Sequence, residues 1–321
     1  MELPEPILSL IVVNRNTRQV LLDCIGSAKR TVRRTRFEII VVDNASTDGS
    51  TEAVSQSHPD VQLIANPKNI GFAAANNMAM KRMRGRYALL LNSDTVLLEE
   101  AVDRMVDFME QHPKAGMCGP QLLNGDRSHQ KSLGVFPTIP GEFVSKTILR
   151  LIAPAVYERT ARSSASDGPV IVDFIIGACM LARKSALDEV GMLDEAYFFF
   201  YEEIDWCYRL KSAGCPVYHL PDISIIHLGG QSTKDISLRA RVESWRSRYI
   251  FFIKNKRLTT FASAGLYLLG SAVVAMQFLS HTLLNAMALF LLGRLRRRWL
   301  MFGYLLVWHL LGCPRSMGLP R

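Results

Sequence analysis

Acidic and amide side chains follow two of the apolar runs in this 321-residue sequence. The decamer VVDNASTDGS passes from β-branched residues directly to Asp43 and Asn44, and YALLLNSD ends in the same way at Asp94. A carboxylate at the end of a buried strand can hold Mg²⁺ or Mn²⁺ against a diphosphate, because these ions take few protein carboxylates and complete their shells with water and phosphate oxygens. A turn or a helix cap uses the same residue types, so each motif alone leaves both interpretations open.

The segment EEIDW places three carboxylates, Glu202, Glu203 and Asp205, within four residues of an expected helix start. Five consecutive aromatic residues, YFFFY, precede it. Carboxylates crowded beside apolar rings raise one another's pKa, which keeps a general base near neutral pH. The alternative is that acids simply favour the first turn of a helix through its dipole.

Two further motifs could contribute to a binding site. NPKNIGFAAANN at 66–77 contains Gly71 and Asn76, and a glycine near a helix start can admit a phosphate, although a simple turn explains it as well. HLGGQS contains His227, and a neutral imidazole is a suitable ligand for Mn²⁺. A structural histidine would fit that short motif equally well.

Apolar runs alternate with helical periodicity over the first third of the chain, which predicts a parallel α/β sheet between two layers of helices. The predicted strands lie near 7–13, 37–43, 61–65 and 87–94, and the predicted helices near 17–30, 50–57, 72–84 and 99–111. Residues 128–169 lose this periodicity and are interpreted as a mobile insertion. Two short strands, CPVYHLP and ISIIHLGG, are expected after it. We predict an α/β domain at 1–243 and a helical tail at 244–321.

Basic residues are concentrated in this tail. The chain has a formal charge of +9, yet no Asp or Glu follows Glu243, and residues 244–321 contain eleven Lys and Arg. The tail is also the most apolar part of the chain. We therefore expect it to bind a membrane surface with anionic lipid and exclude a nucleic-acid partner, because nucleic-acid binding needs basic side chains on a polar surface.

Residues 258–293 of the tail contain no charged side chain. One straight helix of this length would measure about 54 Å, which is too long for a hydrocarbon core of roughly 30 Å. Breaks are expected at 270–271 and at 280–282, and the basic clusters at both ends favour keeping both ends cytoplasmic. We therefore predict a re-entrant or in-plane arrangement, continued by an interfacial segment at 299–311 with its Trp and Tyr side chains at headgroup level. A buried helical pair packed on the preceding domain or on a dimer partner is the alternative.

The N-terminal sequence MELPEP is acidic, and the apolar run at 7–13 is short and lacks a cleavage site. This pattern predicts a chain without a signal peptide. Six cysteines show no CxxC spacing, so we expect free thiols in a reducing cytosol.

The order of the motifs along the chain is more specific than any one of them. DNASTDGS, NIGFAAANN, NSD, GACMLARKSAL, GMLDEAYFFFYEEIDWCYRLKSAG and HLGGQS closely resemble, in this order, the nucleotide-sugar-dependent family 2 glycosyltransferases, especially their bacterial rhamnosyltransferase-like branch. The resemblance covers residues 7–255 approximately. It implies a GT-A nucleotide-diphospho-sugar transferase fold, with a mostly parallel sheet between helices, here followed by a C-terminal apolar helical membrane-associated tail.

The resemblance also implies roles for individual residues. Asp43 corresponds to the acid that contacts the base, Asp94 to the acid that binds the metal and the diphosphate, and His227 to a histidine that completes the metal site in several relatives. The family's general base falls on Glu203, where relatives carry Asp, so Glu202 and Asp205 are the alternatives.

Further contacts to the nucleotide sugar are expected from four polar residues. These are Asn14, Asn44, Ser46 and Asn76. Arg15 departs from the family pattern, because relatives usually carry an aromatic residue there between two asparagines.

The resemblance implies an inverting glycosyltransferase that uses a divalent metal, Mn²⁺ or Mg²⁺. Its donor would be a nucleoside diphosphate sugar, with dTDP-rhamnose the first choice, and its acceptor a polyprenyl-linked sugar or a cell-surface glycan. Such an enzyme would act in cell-wall polysaccharide biosynthesis at the cytoplasmic face of the bacterial inner membrane. A sugar-phosphate nucleotidyltransferase would instead have a glycine-rich, basic segment after the first strand, where this chain has NRNTRQVLLD. A non-catalytic membrane scaffold that retains nucleotide binding is the other alternative.

Overall fold

The computed structural model describes residues 5–143, 150, 154, 168–230, 237–256, 258–287 and 293–319. The strands are β1 (Leu8–Asn14), β2 (Phe37–Asn44), β3 (Gln62–Asn66), β4 (Tyr87–Asn92), β5 (Thr95–Leu97), β6 (Met117–Leu123), β7 (Leu133–Gly134), β8 (Val170–Val172), β9 (Phe174–Ile175), β10 (Cys179–Arg183) and β11 (Val217–His227). The helices are α1 (Arg18–Thr31), α2 (Ser50–Ser57), α3 (Phe72–Met80), α4 (Ala101–Gln111), α5 (Ile139–Phe143), α6 (Lys184–Val190), α7 (Glu202–Ser212), α8 (Ser237–Asn255), α9 (Thr260–Met287) and α10 (Gly293–Leu310).

The main sheet has the strand order β3-β2-β1-β4-β10-β6-β11-β5, with β8 beside β11. Strands β1 to β4 are parallel to one another, as the alternation of strands and helices predicts. Their β-branched and leucine-rich sequences suit strands that are covered on both faces. The α/β architecture with C-terminal helices is thus confirmed.

The second half of the sheet, outside the strands from which the parallel arrangement was predicted, is mixed. Strand β10 runs antiparallel to both β4 and β6, and β11 is parallel to β6. The two short strands expected at CPVYHLP and ISIIHLGG form one strand, β11. A register shift between Leu220 and Ser224 accommodates Pro221, which cannot donate to a regular ladder.

Alternate residues of the central strands face two separate hydrophobic clusters. Ile11 and Ile40 belong to the cluster on one face, and Leu10 and Val41 belong to the cluster on the other. Helices cover both faces of the sheet, which makes the three-layer arrangement and leaves the carboxyl edge of the parallel strands open to binding.

The register aligns the polar strand ends. Asn14 of β1 is paired with Asp43 of β2, and Val13 is paired with Asn92 of β4. Asn14, Asp43 and Asn92 therefore lie at the same edge of the sheet, and Asp94 follows two residues after Asn92.

Helices α8, α9 and α10 pack on the same sheet face as Ile11. Tyr249 of α8, Val274 of α9 and Trp308 of α10 are buried in that hydrophobic cluster. The predicted division at residue 243 falls inside α8 and stays a prediction. Most of the insertion predicted at 128–169 lies outside the described residues; its described part contains β7 and α5.

Helix α9 continues through both of the expected breaks, so this prediction was wrong. Gly270 instead allows close packing, because a Cβ at this position would collide with the Tyr249 hydroxyl and lie 3.2 Å from Trp245. Ser271 Oγ donates to Tyr267 O at 2.9 Å, and Thr282 Oγ1 donates to Phe278 O at 2.8 Å. The helix therefore satisfies these hydroxyls internally.

The headgroup placement expected for the aromatic residues of α10 was also wrong for Trp308. Its side chain is fully buried, and its Nε1 donates to Pro314 O at 3.1 Å. Tyr304 Oη donates to Met317 O at 3.1 Å. These aromatics dock α10 and the chain after it onto α8, as expected for the alternative of a packed helical pair.

Candidate active site

A hydrogen-bonded polar chain joins the ends of three strands. Asn14 Nδ2 donates to Asp43 Oδ2 at 2.8 Å and to Ser46 Oγ at 3.1 Å. Thr17 Oγ1 donates to Asn14 Oδ1 at 2.6 Å and lies 2.8 Å from Ser93 Oγ. Asp43 also accepts the Ser46 N–H at 2.8 Å. Asp43 thus orients both Asn14 and the loop after β2 at the carboxyl edge of the sheet.

Asn44 organises the neighbouring loop after β3. Its Nδ2 donates to Asn69 Oδ1 at 2.7 Å, and its Oδ1 accepts the Ile70 N–H at 3.0 Å. Gly71 follows with φ +89°, and a Cβ there would lie 2.6 Å from Phe198 O. Glycine is therefore needed both for the backbone angle and for the close approach of the Phe198 segment.

A pocket opens between these two loops and the end of β4. Its polar wall includes Asn14, Asn44 and Asp94, and its apolar wall includes Phe198 and Leu319. The position at the carboxyl edge of parallel strands is where open α/β sheets bind ligands.

His227 lies beside Asp94 because β11 pairs with β5 directly after the NSD segment. His227 is in register with Thr95, and its Nε2 lies 3.4 Å from Asp94 Oδ1. On the other side of the ring, Nδ1 lies 2.7 Å from Gln130 Oε1. Because that amide oxygen can only accept, Nδ1 donates to it, while Nε2 lies 3.3 Å from Asn92 Nδ2 as well as near Asp94.

A carboxylate and an imidazole oriented in this way suit a divalent cation. No group of three or more His, Cys, Asp or Glu side chains that could hold a metal occurs within the described part of the chain. Asp94 and His227 could therefore act as two protein ligands, with phosphate oxygens and water completing the shell, as Mg²⁺ and related ions allow.

Glu202 and Glu203, at the start of α7, each place a carboxyl oxygen where solvent does not reach it. One buried oxygen of Glu202 and one of Glu203, Oε2 in each case, has no hydrogen-bond partner among the residues that the structure describes. Burial raises the pKa of Glu203 to about 7, against backbone N–H groups at the helix start that lower it. Burial, followed by the charge of Glu203, raises the pKa of Glu202 well above its usual value. The pair can therefore hold a proton near neutral pH.

Asp205 is engaged in a different way. It is buried, and its Oδ2 accepts from Arg209 Nε at 2.8 Å. Its Oδ1 accepts from Asn255 Nδ2 at 2.8 Å and from Tyr197 Oη at 3.3 Å. These contacts engage both oxygens of Asp205 and tie α7 to α8.

A short segment connects the acids of α7 to the pocket. Gly177 lies against Glu203, since a Cβ on this glycine would be 3.5 Å from Glu203 Cβ. The next residue, Ala178, accepts the Asn92 N–H at 3.0 Å through its carbonyl oxygen. Residues 177–178 therefore lie between Glu203 and the end of β4, and Glu203 is not among the residues that line the pocket.

The structure separates the predicted site residues into groups. Asn14, Asn44 and Asp94 line the pocket, and Asp43 and Ser46 support it from below. Asn76 is not among the lining residues. It is fully buried in α3, where its Nδ2 donates to Phe72 O at 2.9 Å.

Sequence reasoning missed several pocket residues. Arg15 was noted only as a departure from a pattern, yet it lines the pocket, and its buried Nε has no hydrogen-bond partner in the described part of the protein. Its position directly after β1 could have suggested a role. Phe198, Phe199 and Leu319 also line the pocket, and no local signal pointed to Leu319.

The sheet topology and the position of the pocket identify the fold class of the protein. The chain has a GT-A fold, and solved structures with this architecture resemble it. A mannosyltransferase from Pyrobaculum calidifontis, PcManGT, in complex with GDP-Man and Mn²⁺ superposes with a TM-score of 0.57 at 18% identity over 96% of this chain and 87% of that one. GalNAc-T7 with UDP, GalNAc and Mn²⁺ gives 0.55 at 13% identity over 79% and 50% of the two chains. At these identities the likeness shows the fold alone.

The family follows from the sequence comparison. The family model described as glycosyl transferase family 2 matches residues 9–191, which is more than half of the chain. The chain therefore belongs to glycosyl transferase family 2, and it is a glycosyltransferase.

The names of three curated relatives specify the sugar that those relatives transfer. N-acetylglucosaminyl-diphospho-decaprenol L-rhamnosyltransferase of Mycobacterium tuberculosis is 27% identical over 231 residues, 66% of this chain and 73% of the relative. Rhamnosyltransferase WbbL of Escherichia coli is 24% identical over 69% of this chain and 84% of its own length. The dTDP-rhamnosyl transferase RfbF of Shigella flexneri is 24% identical over 66% and 67%.

Proposed function

We propose that this protein is an inverting, metal-dependent glycosyltransferase that moves L-rhamnose from dTDP-rhamnose to a lipid-linked or cell-surface glycan acceptor. The supporting observation is Asp94 in the pocket wall with His227 beside it, Nε2 and Oδ1 being 3.4 Å apart and Gln130 orienting the imidazole. The names of the three relatives support the rhamnosyl donor. The decaprenol-linked substrate in the name of the mycobacterial relative supports a lipid-linked acceptor.

On the donor side, Asp94 and His227 would hold Mn²⁺ or Mg²⁺, which supplies positive charge against the departing diphosphate. Asn14 and Asn44 present amide groups to the nucleotide, and Asp43 keeps Asn14 in position through its 2.8 Å hydrogen bond. The partnerless Nε of Arg15 offers a further charged donor to a phosphate oxygen.

On the acceptor side, Glu203 removes the proton from the attacking hydroxyl. The hydroxyl oxygen then bonds to the anomeric carbon as the bond from that carbon to the diphosphate breaks, which inverts the configuration. A pKa of about 7 suits Glu203 to this role near neutral pH. Glu202 keeps its proton under the same conditions, because burial and the charge of Glu203 both raise its pKa.

The direct test uses the purified protein and a panel of dTDP-, UDP- and GDP-sugars, each with Mn²⁺, Mg²⁺ or a chelator. We expect release of nucleoside diphosphate only with metal and a lipid-linked acceptor, and the fastest release with dTDP-rhamnose. Nucleotide binding without sugar transfer to any acceptor would instead favour the non-catalytic scaffold. Transfer of a nucleotidyl group with release of pyrophosphate would favour the nucleotidyltransferase.

We further propose that the tail holds the enzyme on the cytoplasmic membrane surface through one side of α9. Within the described chain one helix, Thr260–Leu284, has the length and apolar composition to cross a membrane. However, Leu266, Val273 and Val274 from its middle are buried in the hydrophobic cluster that also contains Tyr249 of α8 and Trp308 of α10. Residues packed there cannot also occupy the centre of a bilayer, which supports an in-plane helix over a crossing.

The opposite side of α9 presents an exposed apolar stripe. Its members are separated by three, four, seven or eight residues, as one helix face requires. They are Phe261, Leu268, Met276, Leu279 and Leu283. Phe261 is 90% exposed and Leu268 is 72% exposed, and the basic residues at the start of α10 would contact anionic headgroups.

Membrane fractionation tests this arrangement. The full-length protein should sediment with membranes and bind vesicles containing anionic lipid, and the triple substitution Leu268→Ser, Met276→Ser, Leu279→Ser should release a folded protein into the soluble fraction. A wild-type protein that stays soluble without detergent would refute the proposal. A periplasmic reporter that is active when fused after Arg298 would establish a crossing instead.

A further inference from the structure

The segment that follows α10 returns to the pocket. Residues Cys313–Leu319, here called the C-terminal strap, contain a 3₁₀ turn at Arg315–Met317. At its far end Leu319 packs with Phe198 and Ala240 in a small hydrophobic cluster. Leu319 also lines the pocket that contains Asp94 and Asn14, although 225 residues separate it from Asp94 in the sequence.

Three hydrogen bonds attach the strap to the helices beneath it. Arg246 Nη2 and Trp308 Nε1 both donate to Pro314 O, at 3.0 and 3.1 Å. Tyr304 Oη donates to Met317 O at 3.1 Å. The donors belong to α8 and α10, so the strap is fixed to the tail that we propose to bind the membrane.

A buried carboxylate holds the end of the strap. Glu243 of α8 is fully buried, forms an ion pair with Arg246, and accepts the Leu319 N–H at 3.3 Å. A Cβ on Gly318 would collide with Glu243 Oε1 and would lie 2.7 Å from Arg246 Nη1. Only glycine therefore fits at this point, and the backbone of Leu319 has a defined position next to Phe198.

We propose that Leu319 is a donor-binding residue and that the C-terminal strap completes the pocket for the nucleotide sugar. Leu319 and Phe198 pack together and form an apolar part of the lining of the pocket that also contains Asn14 and Asp94. This part of the lining contacts the apolar surface of the bound sugar nucleotide and excludes water from the diphosphate. The inference rests on the proposed function for the identity of the ligand, and it assigns a binding role to a segment outside the 9–191 match to the family model.

The test compares Leu319→Ala with the matched control Leu310→Ala, which changes a leucine that is 76% exposed at the end of α10. In Leu319→Ala we expect the KM for the sugar nucleotide and its calorimetric Kd to rise roughly tenfold, as for loss of methylene contacts in an apolar pocket. The kcat should change much less, because the contact exists in both the ground state and the transition state. The control should match the wild type in all three quantities.

A second variant separates loss of contact from misfolding. A chain that ends at Met317 removes residues 318–321, Gly318 and Leu319 among them, but keeps the hydrogen bonds to Pro314 and Met317. Its Kd should rise at least as much as that of Leu319→Ala. Gly318→Ala should act in the same direction by displacing the end of the strap. Unchanged donor affinity in folded Leu319→Ala and in the shortened chain would refute the role of Leu319. A wild-type protein that binds no sugar nucleotide from the panel would refute the proposed function itself.

Discussion

The acids at the strand ends and the acids at the start of α7 have opposite surroundings. Asp43 accepts two hydrogen bonds, from Asn14 and from the Ser46 backbone, and Asp94 Oδ1 lies 3.4 Å from His227 Nε2. Glu202 and Glu203, by contrast, each keep one buried oxygen without a partner in the described structure, and the pKa of each is raised.

This difference separates two kinds of chemistry. Hydrogen-bond donors around a carboxylate favour its charged form, which is the form that binds a cation or orients an amide. Burial without donors favours the protonated form and brings the pKa toward neutral pH, which is what proton transfer requires. We therefore expect the strand-end acids to bind and the helix-start acids to move the proton.

Asp94→Asn should have the largest effect and abolish turnover, with a loss of at least about 10³-fold. A neutral amide cannot hold a cation against the diphosphate, so calorimetric Mn²⁺ binding in the presence of nucleoside diphosphate should also disappear. The melting temperature should stay close to that of the wild type. Metal-dependent activity that is unchanged in this variant would remove Asp94 from the site.

Glu203→Gln should lower kcat by about 10²–10⁴, the usual range for loss of a general base, while donor affinity changes little. Asp205→Asn is the matched comparison, because it removes a charge from the same helix turn. Since Asp205 is paired with Arg209 and Asn255, its substitution should mainly lower the melting temperature. If Asp205→Asn lowers kcat more than Glu203→Gln does, Asp205 is the base and our comparison of the two carboxylates fails.

The pH dependence should report the same group. Glu203 must be ionised to accept a proton, so kcat should rise with pH and level off above about 7, with a roughly tenfold fall per unit below it. Glu203→Gln should remove this limb of the profile. Because the folded state binds this proton more tightly than the unfolded state does, stability should fall as pH rises from the usual carboxyl range of about 4.3 through about 7. A flat kcat profile between pH 5 and 8 would exclude a base with this pKa.

Asp43→Ala should have the smallest effect, with a KM for the donor raised roughly tenfold by the lost charged hydrogen bond and kcat reduced less. Asn14→Ala should show the same pattern, and the double variant should be little worse than either single one, because the two residues act through one 2.8 Å contact. A loss in kcat alone would contradict a binding role for Asp43.

Local sequence patterns determined the half of the fold that contains the strand-end acids. Strands β1 to β4 and the helices between them repeat a local alternation, and a parallel register brings their carboxyl ends together without further information. Asp43, Asn44 and Asp94 could therefore be assigned to one sheet edge from the sequence. The acidic cluster of α7 and the apolar tail could also be recognised in the sequence, because local composition reveals both.

The tertiary structure decided everything that depends on distant partners. Strand β10 enters the sheet antiparallel, His227 reaches Asp94 through the pairing of β11 with β5, and Leu319 returns to the pocket from the end of the chain. Periodicity cannot predict these contacts, because it reports only which face of an element is apolar and not what covers that face. For the same reason Asp205 and Glu203, two residues apart on one helix, have different surroundings. Asn255 and Arg209 pair with Asp205, whereas burial without a hydrogen-bond donor to Oε2 raises the pKa of Glu203.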